Sequence, residues 1–398
     1  MSDSENEEEK KELDLSSNDV VTKYKLAAEI ANKALALVIS EAKPGVKVFD
    51  LCQKGDEFIT KQVSTLYTKA KVKIDKGVAF PTSVSLNNVV GHYSALEGDT
   101  LELKEGDVVK IDLGAHIDGF AAVVAHTLVL QEGPVTGKTA DVIAAANTAA
   151  EVALRLVRPG KKNMSVTEAF KKVAEAYDVK MVEGVLSHQM KQFVIDGNKV
   201  VITVAGPEAK VDEAEFEENE VYAVDVVVSS GEGKPRILDE KQTSVYKRAL
   251  DKEYKLKLKA SRATLSEINQ RFPVMPFTIR ELKDKQAKLG VKDCVTHELL
   301  TPYPVLHEKQ GDIVAHFKFT VLLMPNGSDR ITGHPVQELK PDKEVDDPEI
   351  KAWLALGTKS KKKGGGAKKK AKKAGEGSSK EAESKEGGKD EELPDAAE

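Results

Sequence analysis

Apolar residues recur every three or four positions through the first part of the chain, which is the period of an amphipathic helix. The pattern predicts a helix from Asn18 to Ala42, stopped by Pro44-Gly45, and a second helix over about Val48–Leu66. Two runs rich in β-branched residues, Val108–Leu113 and Ala121–Leu130, predict strands. The chain therefore begins with a helix pair followed by paired strands.

The same succession of elements returns in the second part of the chain. The repeated elements are predicted helices at 140–157 and 166–176 and predicted strands at 221–229 and 313–324. The turn residues Pro44 and Pro159 lie 115 positions apart, and the strand-ending residues Asp112 and Asp225 lie 113 apart. Chance similarity between amphipathic helices would explain one such match. Duplication explains both, and it predicts two α+β halves related by a pseudo-two-fold axis, with the two aspartates facing each other near it.

An insert interrupts the second half from about residue 231 to residue 311. It contains two predicted helices, Ser261–Arg271 and Thr278–Leu289. Residues 254–259 alternate lysines with apolar residues, which predicts a strand with its lysines on one face. An insert of this length between paired strands is most easily a small subdomain.

Charge is segregated to the two ends of the chain. The net charge is only −5, yet residues 1–14 hold seven acids against two lysines, and residues 359–373 hold nine lysines and no acid. Such segments cannot bury enough apolar surface to fold. We therefore predict a folded domain over 17–345, between a disordered acidic N-terminus at 1–16 and a disordered tail at 346–398.

Composition argues against several classes of protein. The two cysteines, Cys52 and Cys294, cannot build a disulfide framework, which favours an intracellular protein. The acidic N-terminus lacks the basic and apolar parts of a secretory signal. No apolar run approaches the roughly 18 residues that span a bilayer, so we expect no membrane insertion. The sequence contains neither a P-loop nor a Rossmann glycine pattern.

Two segments carry a family resemblance: FPTSVSLNNVVGHY at 80–93 and KIDLGAHIDG at 110–119. They resemble the methionine aminopeptidase family of the pita-bread fold, especially its eukaryotic second type, over residues 18–345. The resemblance implies an α+β pita-bread fold with two pseudo-two-fold-related halves and a small inserted subdomain. In that family two divalent ions, held by two aspartates, one histidine and two glutamates, activate a water molecule.

The resemblance also assigns positions in the pocket. The residues concerned are His92, Asp112, Val123, His188, Asp225 and Lys318. Asp112 matches the first aspartate, His188 the ligand histidine and His92 the substrate-binding histidine. A further family histidine is replaced by Asp196.

Three of these positions depart from the metal-ligand pattern. Val123, eleven residues after Asp112, replaces the second aspartate. Asp225 stands at the first glutamate position and Lys318 at the second. An ammonium about 4 Å from a divalent ion costs on the order of 8 kcal/mol at an effective dielectric near 20. We therefore expect no metal, no other cofactor and no catalytic residue, and we expect Lys318 to pair with both aspartates.

Further stretches are similar to a non-peptidase branch of that family, the proliferation-associated proteins, which bind the cytoplasmic tail of an ErbB-type receptor in animals. They are VTKYK at 21–25, LSHQMKQ at 186–192, VYAVD at 221–225, SSGEG at 229–233, PFTIR at 276–280 and FKFTVLLMPNG at 317–327. This resemblance implies binding to RNA and to the large ribosomal subunit near the nascent-chain exit. It also implies residence in cytoplasm, nucleus and nucleolus, and control of growth, translation and transcription. IKAWL at 350–354 departs from the branch's Leu-x-x-Leu-Leu co-regulator motif, so docking of transcriptional co-regulators through it is in question.

Two basic segments are candidates for binding RNA. Their residues are Lys252, Lys255, Lys257, Lys259 and Arg262 in the insert, and Lys361, Lys362, Lys363, Lys368, Lys369, Lys370, Lys372 and Lys373 in the tail. Lysines that neutralise phosphates release counterions, which gives salt-sensitive and sequence-tolerant binding. A nuclear localisation signal is the alternative for the tail, and an ordinary solvent-facing surface is the alternative for the insert.

Three functions remain open on these residues. The first is an RNA- and ribosome-binding growth regulator on a catalytically inactive aminopeptidase fold. The second is a pseudoenzyme that holds nascent N-termini in the old pocket, which the retained His92 favours. The third is an active methionine aminopeptidase with an altered metal site, for which carboxylates at positions 123 and 318 would be needed.

Overall fold

The computed structural model describes residues 13–206, 209–284 and 287–359. The α-helices in these ranges are α1 (Asn18–Glu41), α2 (Val48–Ser64), α3 (Gly137–Leu156), α4 (Asn163–Tyr177), α5 (Lys259–Arg271), α6 (Ala287–Thr296) and α7 (Pro348–Leu354). The strands are β1 (Lys76–Leu86), β2 (Val89–Gly91), β3 (Val108–Ile117), β4 (Phe120–Val129), β5 (Val135–Thr136), β6 (Lys180–Met181), β7 (Leu186–Met190), β8 (Val200–Ile202), β9 (Val221–Ser229), β10 (Val245–Arg248), β11 (Phe277–Thr278), β12 (Leu300–Tyr303), β13 (Leu306–His307), β14 (Val314–Met324), β15 (Gly327–Arg330) and β16 (Leu339–Lys340).

A nine-stranded sheet dominates the part of the chain that the structure describes. Its main path runs β1-β3-β4-β14-β9-β7-β8, with β15 beside β14 and β6 beside β9. Strands β4 and β14 meet at the centre, and β3 and β9 flank them on either side. Helix α1 packs on β3 and β4, while α3 packs on β9 and β14. The two predicted α+β halves of a pita-bread fold are therefore confirmed.

The two helices of each half are joined by a turn of the same sequence type, a basic residue followed by Pro-Gly. The turns are Lys43-Pro44-Gly45 and Arg158-Pro159-Gly160. Gly45 follows the end of α1 and Gly160 follows the end of α3, with φ angles of 87° and 82°. A side chain disfavours this left-handed region, which glycine enters freely. The two glycines thus let each chain segment turn sharply from one helix into the next.

Apolar and charged residues alternate along the central strands, so the core and the charged residues lie on opposite faces of the sheet. Ile111 and Leu113 on β3 are fully buried with α1 and α2, while Asp112 between them points to the opposite face. Phe317 and Phe319 on β14 pack with α3 and α4 in the same way. Apolar residues therefore bury one face of the sheet under helices, and the charged residues between them share the other face.

The insert forms a small unit with its own apolar cluster, which includes Leu256, Ile268 and Phe277. Strands β11, β10 and β12 make a three-stranded sheet, and α5 packs against α6.

Two predictions within the insert are wrong. Thr278–Leu289 is not a helix, because Phe277–Thr278 pairs with β10 and a short 3-10 turn follows at Ile279–Glu281. Residues 254–259 form no strand, since Leu256 is buried in the subdomain core and α5 begins at Lys259.

The described fold also extends past both predicted boundaries of the domain. Leu15 lies in the segment predicted to be disordered, yet only 3% of it is exposed and it packs near Tyr24. Helix α7 lies in the predicted disordered tail, where Asp347 caps it and Ile350 is completely buried with α3. In both segments single apolar side chains dock onto a core that local composition does not reveal. Residues 1–12 and 360–398 of the two predicted disordered segments lie outside the described residues.

One buried ion pair ties the insert to the first half. The Arg280 guanidinium contacts the Asp56 carboxylate of α2, and the two side chains are 8% and 5% exposed. Asp56 also accepts a 2.7 Å hydrogen bond from the Thr82 amide, and Arg280 donates one of 2.7 Å to the Ala95 carbonyl. This network fixes the 3-10 turn of the insert against β1 and α2.

We predict that Arg280→Met lowers the free energy of unfolding by about 3–5 kcal/mol, because it leaves the Asp56 carboxylate buried without its counter-charge. Denaturant unfolding measures the change. Lys33→Met, which removes the exposed Lys33–Glu29 pair of α1, is the control and should cost less than about 1 kcal/mol. Equal losses in the two variants would show that Arg280 does not anchor the insert.

Candidate functional site

The candidate site lies where the four central strands of the sheet run side by side. Lys318 on β14 is in register with Asp225 on β9 and with Ala125 on β4. Ala125 is in turn in register with Asp112 on β3. The small alanine side chain leaves room for Lys318 to reach across β4, so one row of the sheet brings both aspartates to one ammonium.

The Lys318 ammonium makes two ion pairs in this row. Its Nζ lies 2.7 Å from Asp112 Oδ2 and 3.0 Å from Asp225 Oδ2. The three side chains are only 11%, 5% and 16% exposed. The predicted pairing of Lys318 with both aspartates is therefore confirmed.

His316 completes the cluster, although sequence reasoning did not select it. Its Nε2 lies 2.8 Å from Asp225 Oδ1. A usable signal was present, because residues two apart on a strand share a face and His316 precedes Lys318 by two. Asp225 is thus held on one oxygen by an ammonium and on the other by an imidazole.

Burial and charge act in opposite directions on the pKa values of this cluster. Burial lowers the pKa of Lys318, but the Asp112 and Asp225 carboxylates outweigh it and raise that pKa well above its usual range. Burial raises the pKa of Asp225, but the charges of Lys318 and His316 outweigh it and hold that pKa well below its usual range. The ionised pair is therefore the stable form near neutral pH.

An aromatic group lies beside the cluster. Phe80, His92 and Tyr303 contact one another with ring centroids 5.4–5.8 Å apart, and Lys318 Nζ lies 5.3 Å from the centre of the Phe80 ring. Burial and the nearby Lys318 charge lower the pKa of His92, which keeps its ring neutral. Its Nδ1 donates to the Pro304 carbonyl at 3.3 Å, which leaves Nε2 as an acceptor.

The remaining predicted pocket residues lie around the same cavity, whose volume is about 250 Å³. His188 on β7 donates from Nδ1 to the Gly197 carbonyl at 3.1 Å. Val123 on β4 presents an apolar side chain to the cavity. Asp196 Oδ1 accepts a hydrogen bond from Lys247 Nζ of the insert, and the two atoms are 2.5 Å apart. Tyr303 also belongs to the insert, so the insert supplies part of the cavity wall that the pocket prediction did not include.

These residues do not fit the two divalent ions of the related peptidases. Within 13–206, 209–284 and 287–359, no three His, Cys, Asp or Glu residues are grouped so that they could hold a metal ion. Lys318 Nζ occupies the space between the Asp112 and Asp225 carboxylates, and Val123 offers no donor atom. The second oxygen of Asp112 is buried with no described hydrogen-bond partner, but one free oxygen beside an ammonium is not a ligand set.

The predicted RNA-binding residues of the insert lie at its surface, all with exposed side chains: Lys252, Lys255, Lys257, Lys259 and Arg262. Lys252 lies 3.5 Å from Glu298, and Arg262 donates to the backbone carbonyls of Leu256 and Lys257. The candidates from Lys361 to Lys373 lie outside the described residues.

The sequence profile of metallopeptidase family M24 matches residues 22–244. The chain belongs to this family. Within it, ErbB-3 binding protein 1 of Solanum tuberosum is 68% identical over 371 residues, covering 93% of this chain and 95% of the relative. Proliferation-associated protein A of Dictyostelium discoideum is 46% identical, covering 88% and 92%. This M24 chain is therefore a member of the proliferation-associated branch, as predicted.

Solved structures agree with this placement in family M24. A thermophilic Arx1 superposes with a TM-score of 0.81 at 31% identity, covering 87% of this chain and all of that one. Methionine aminopeptidase of Thermotoga maritima gives a TM-score of 0.54 at 17% identity, covering 80% and 98%. The second likeness shows a shared fold and nothing about shared chemistry.

We predict that Lys318→Met lowers the free energy of unfolding by about 3–5 kcal/mol at pH 7, because two carboxylates are then left facing each other in a buried site. Thermal and denaturant unfolding of the variant measure this. An unchanged thermal midpoint at pH 7 would contradict the proposed role of the ion pair.

The loss of unfolding free energy in Lys318→Met should depend on pH in a defined direction. The folded pKa of Asp225 is lowered, so its stabilisation is present above its unfolded pKa of about 3.9 and is lost as pH falls towards the folded value. The folded pKa of Lys318 is raised, so its own contribution persists through neutral pH and is lost only at strongly alkaline pH. The difference between Lys318→Met and wild type should thus be constant from pH 6 to 8 and shrink below about pH 4.

Proposed function

We propose that this chain is a catalytically inactive M24 protein that binds RNA and ribosomes and regulates growth, translation and transcription. The observation that carries the loss of catalysis is the Lys318 ammonium between Asp112 and Asp225. A cation fixed there satisfies the carboxylates that would otherwise attract a metal, so the site has no means of activating water in the manner of a two-metal peptidase.

Three observations support nucleic-acid binding. The 359–373 segment holds nine lysines and no acid, which is an electrostatic match to a phosphate backbone. The insert presents further exposed lysines at 252–259. A relative that is 44% identical and covers 88% of this chain is named curved DNA-binding protein of Schizosaccharomyces pombe. Because the lysines are grouped without a base-reading motif, we propose phosphate-dominated contacts with RNA and with the large ribosomal subunit near the nascent-chain exit.

Further partners and cellular locations are proposed from membership of the proliferation-associated branch. The relatives named for ErbB-3 binding support a receptor cytoplasmic tail as a partner, and transcriptional co-regulators are proposed with it. We propose that the protein resides in the cytoplasm, nucleus and nucleolus. In the described part of the chain, no helix combines the length and the apolar character that crossing a bilayer requires.

A second use of the pocket is compatible with this function. The cavity of about 250 Å³ keeps a neutral His92, an aromatic wall and the ionised Asp225. These groups could hold the N-terminal residue of a nascent chain without cutting it, since binding needs acceptors and apolar contact but no metal. Weaker binding of a Met-Ala peptide after His92→Ala would support this use.

We predict that the purified protein releases no methionine from Met-Ala peptides, with or without added cobalt or manganese, because the metal ligands at 123 and 318 are absent. Chromatographic assay of the product and elemental analysis of the protein measure this. Any trace activity should persist in Asp112→Asn, which would identify it as a contaminant. About two ions per chain, together with activity abolished by Asp112→Asn, would overturn the proposal.

We predict that deleting residues 359–373 weakens binding to structured RNA and to ribosomes and flattens the dependence of log affinity on log salt. With about six lysines engaged on single strands, the slope should change by about 4. Replacing the lysines by arginines in shuffled order should preserve binding, because phosphates are contacted and bases are not read.

Deletion of the acidic end, residues 374–398, is the matched control and should leave the salt slope unchanged. A weaker residual affinity should survive the tail deletion, since the 252–262 stretch remains. Identical ribosome co-sedimentation with and without 359–373, at low and at physiological salt, would reduce the run to a localisation signal.

A further inference from the structure

The inserted subdomain carries a groove separate from the ion-pair cavity. It has a volume of about 710 Å³ and runs between α6 and residues 237–243. Ligand pockets in proteins usually measure roughly 300–1,000 Å³. The groove is therefore large enough to bury several side chains of a partner.

One wall of the groove is a stripe of residues on α6. Lys288, Val291, Lys292 and Val295 recur at intervals of three and four, so they share one face of the helix. On another face, Gly290 lies so close to α5 that a Cβ atom would clash. Val291 is only 2% exposed and belongs to the apolar cluster of the subdomain. The helix therefore presents to the groove mainly Lys288, Lys292 and the half-buried Val295.

Besides α6, the groove is lined by apolar residues and by a further lysine. The apolar residues Tyr246, Ile279 and Pro302 are here called its floor, and the lysine is Lys241. In the described ranges, the ammonium groups of Lys241, Lys288 and Lys292 make no hydrogen bond or ion pair. Among the described residues that line the groove, Glu240 is the one acid. Three cations without counter-charges around an apolar floor form a surface complementary to an acidic, partly apolar ligand.

Exposed apolar side chains are concentrated on the same subdomain. Of the eleven large hydrophobic residues exposed in the described chain, six belong to the insert, namely Ile237, Leu238, Leu250, Tyr254, Leu258 and Leu289. Ile237 lines the groove, and Leu289 follows one of its lysines. Ile237 thus adds an exposed apolar side chain to the groove itself.

We propose that this groove binds an acidic amphipathic segment of a partner protein, with apolar side chains on the floor and carboxylates against the three lysines. A helix with leucines at intervals of three and four and with glutamates between them has this chemistry. RNA fits the groove less well. The described residues that line the groove include no arginine and a single aromatic ring for stacking, and Glu240 repels phosphate.

Fluorescence anisotropy with full-length protein tests the proposal. The probe is a fluorescein-labelled amphipathic 12-residue peptide of leucine and glutamate, and we expect binding in the micromolar range. Lys288→Glu/Lys292→Glu should weaken that binding by at least about tenfold, because it replaces attraction by repulsion at two of the three cations. Val295→Asp should weaken it similarly by placing a carboxylate on the apolar wall.

Lys69→Glu/Lys71→Glu is the matched control, because both lysines are exposed outside the groove and the net charge changes equally. It should change peptide affinity by less than about twofold, because neither lysine lines the groove. The thermal midpoint of each variant must equal that of wild type, and Val295→Asp gives a second arm if the double variant fails to fold.

Three outcomes would overturn the proposal. The first is equal binding of a peptide whose glutamates are replaced by lysines. The second is an affinity that the groove variants leave unchanged. The third is displacement of the peptide by RNA, together with weaker RNA binding by the Lys288→Glu/Lys292→Glu variant. That result would assign the groove to RNA. Peptide binding that survives deletion of 359–373 would separate this site from the proposed RNA function.

Discussion

The bridge from Lys318 to Asp112 and Asp225 is the interaction on which the rest of the site depends. Two carboxylates brought together in the middle of a sheet repel each other unless a cation lies between them. In a two-metal peptidase divalent ions supply that charge, and here a side chain from the neighbouring strand supplies it. Because Lys318 is covalently part of β14, the charge balance is built into the fold and needs no ligand. The cluster can thus stabilise the junction of the two halves without a bound ion.

The sequence was most informative where chemistry is local. The helix pairs, the central strands and the matched positions of Asp112 and Asp225 could be predicted, because amphipathic periods, Pro-Gly stops and strand alternation act within a few residues. The prediction that each aspartate ends its strand is wrong, since β3 continues to Ile117 and β9 to Ser229. The pairing of Lys318 with Asp112 and Asp225 could also be predicted, because the resemblance assigned all three to one pocket. His316 could have been found by counting two residues back along the strand. All of these features except the pairing depend on local backbone geometry, whereas the pairing was predicted from the family resemblance.

What could not be predicted depends on contacts between distant segments. Leu256 and Leu258 alternate with lysines as in a strand, yet residues 254–257 find no partner strand and only Leu256 is buried. Arg280 was predicted to be helical, but it lies in a 3-10 turn from which it reaches Asp56, and the described part of α6 starts at Ala287. Leu15 and α7 pack onto the domain through few apolar residues. The polar composition of the surrounding segments does not reveal these residues. In each case a single long-range contact overrides the local pattern.

The strands of the insert connect the ion-pair cavity with the basic groove. On β12, Pro302 lines the groove and Tyr303 contacts His92 and Phe80 in the cavity. On β10, Tyr246 lines the groove and Lys247 pairs with Asp196 at the cavity. Neighbouring residues on each strand therefore face the two sites, so a shift of either strand moves both walls together. A ligand that binds one site in only one position of these strands must change the affinity of the other, since such coupling is reciprocal. The insert therefore shapes part of the cavity wall as well as the surface proposed to bind partners.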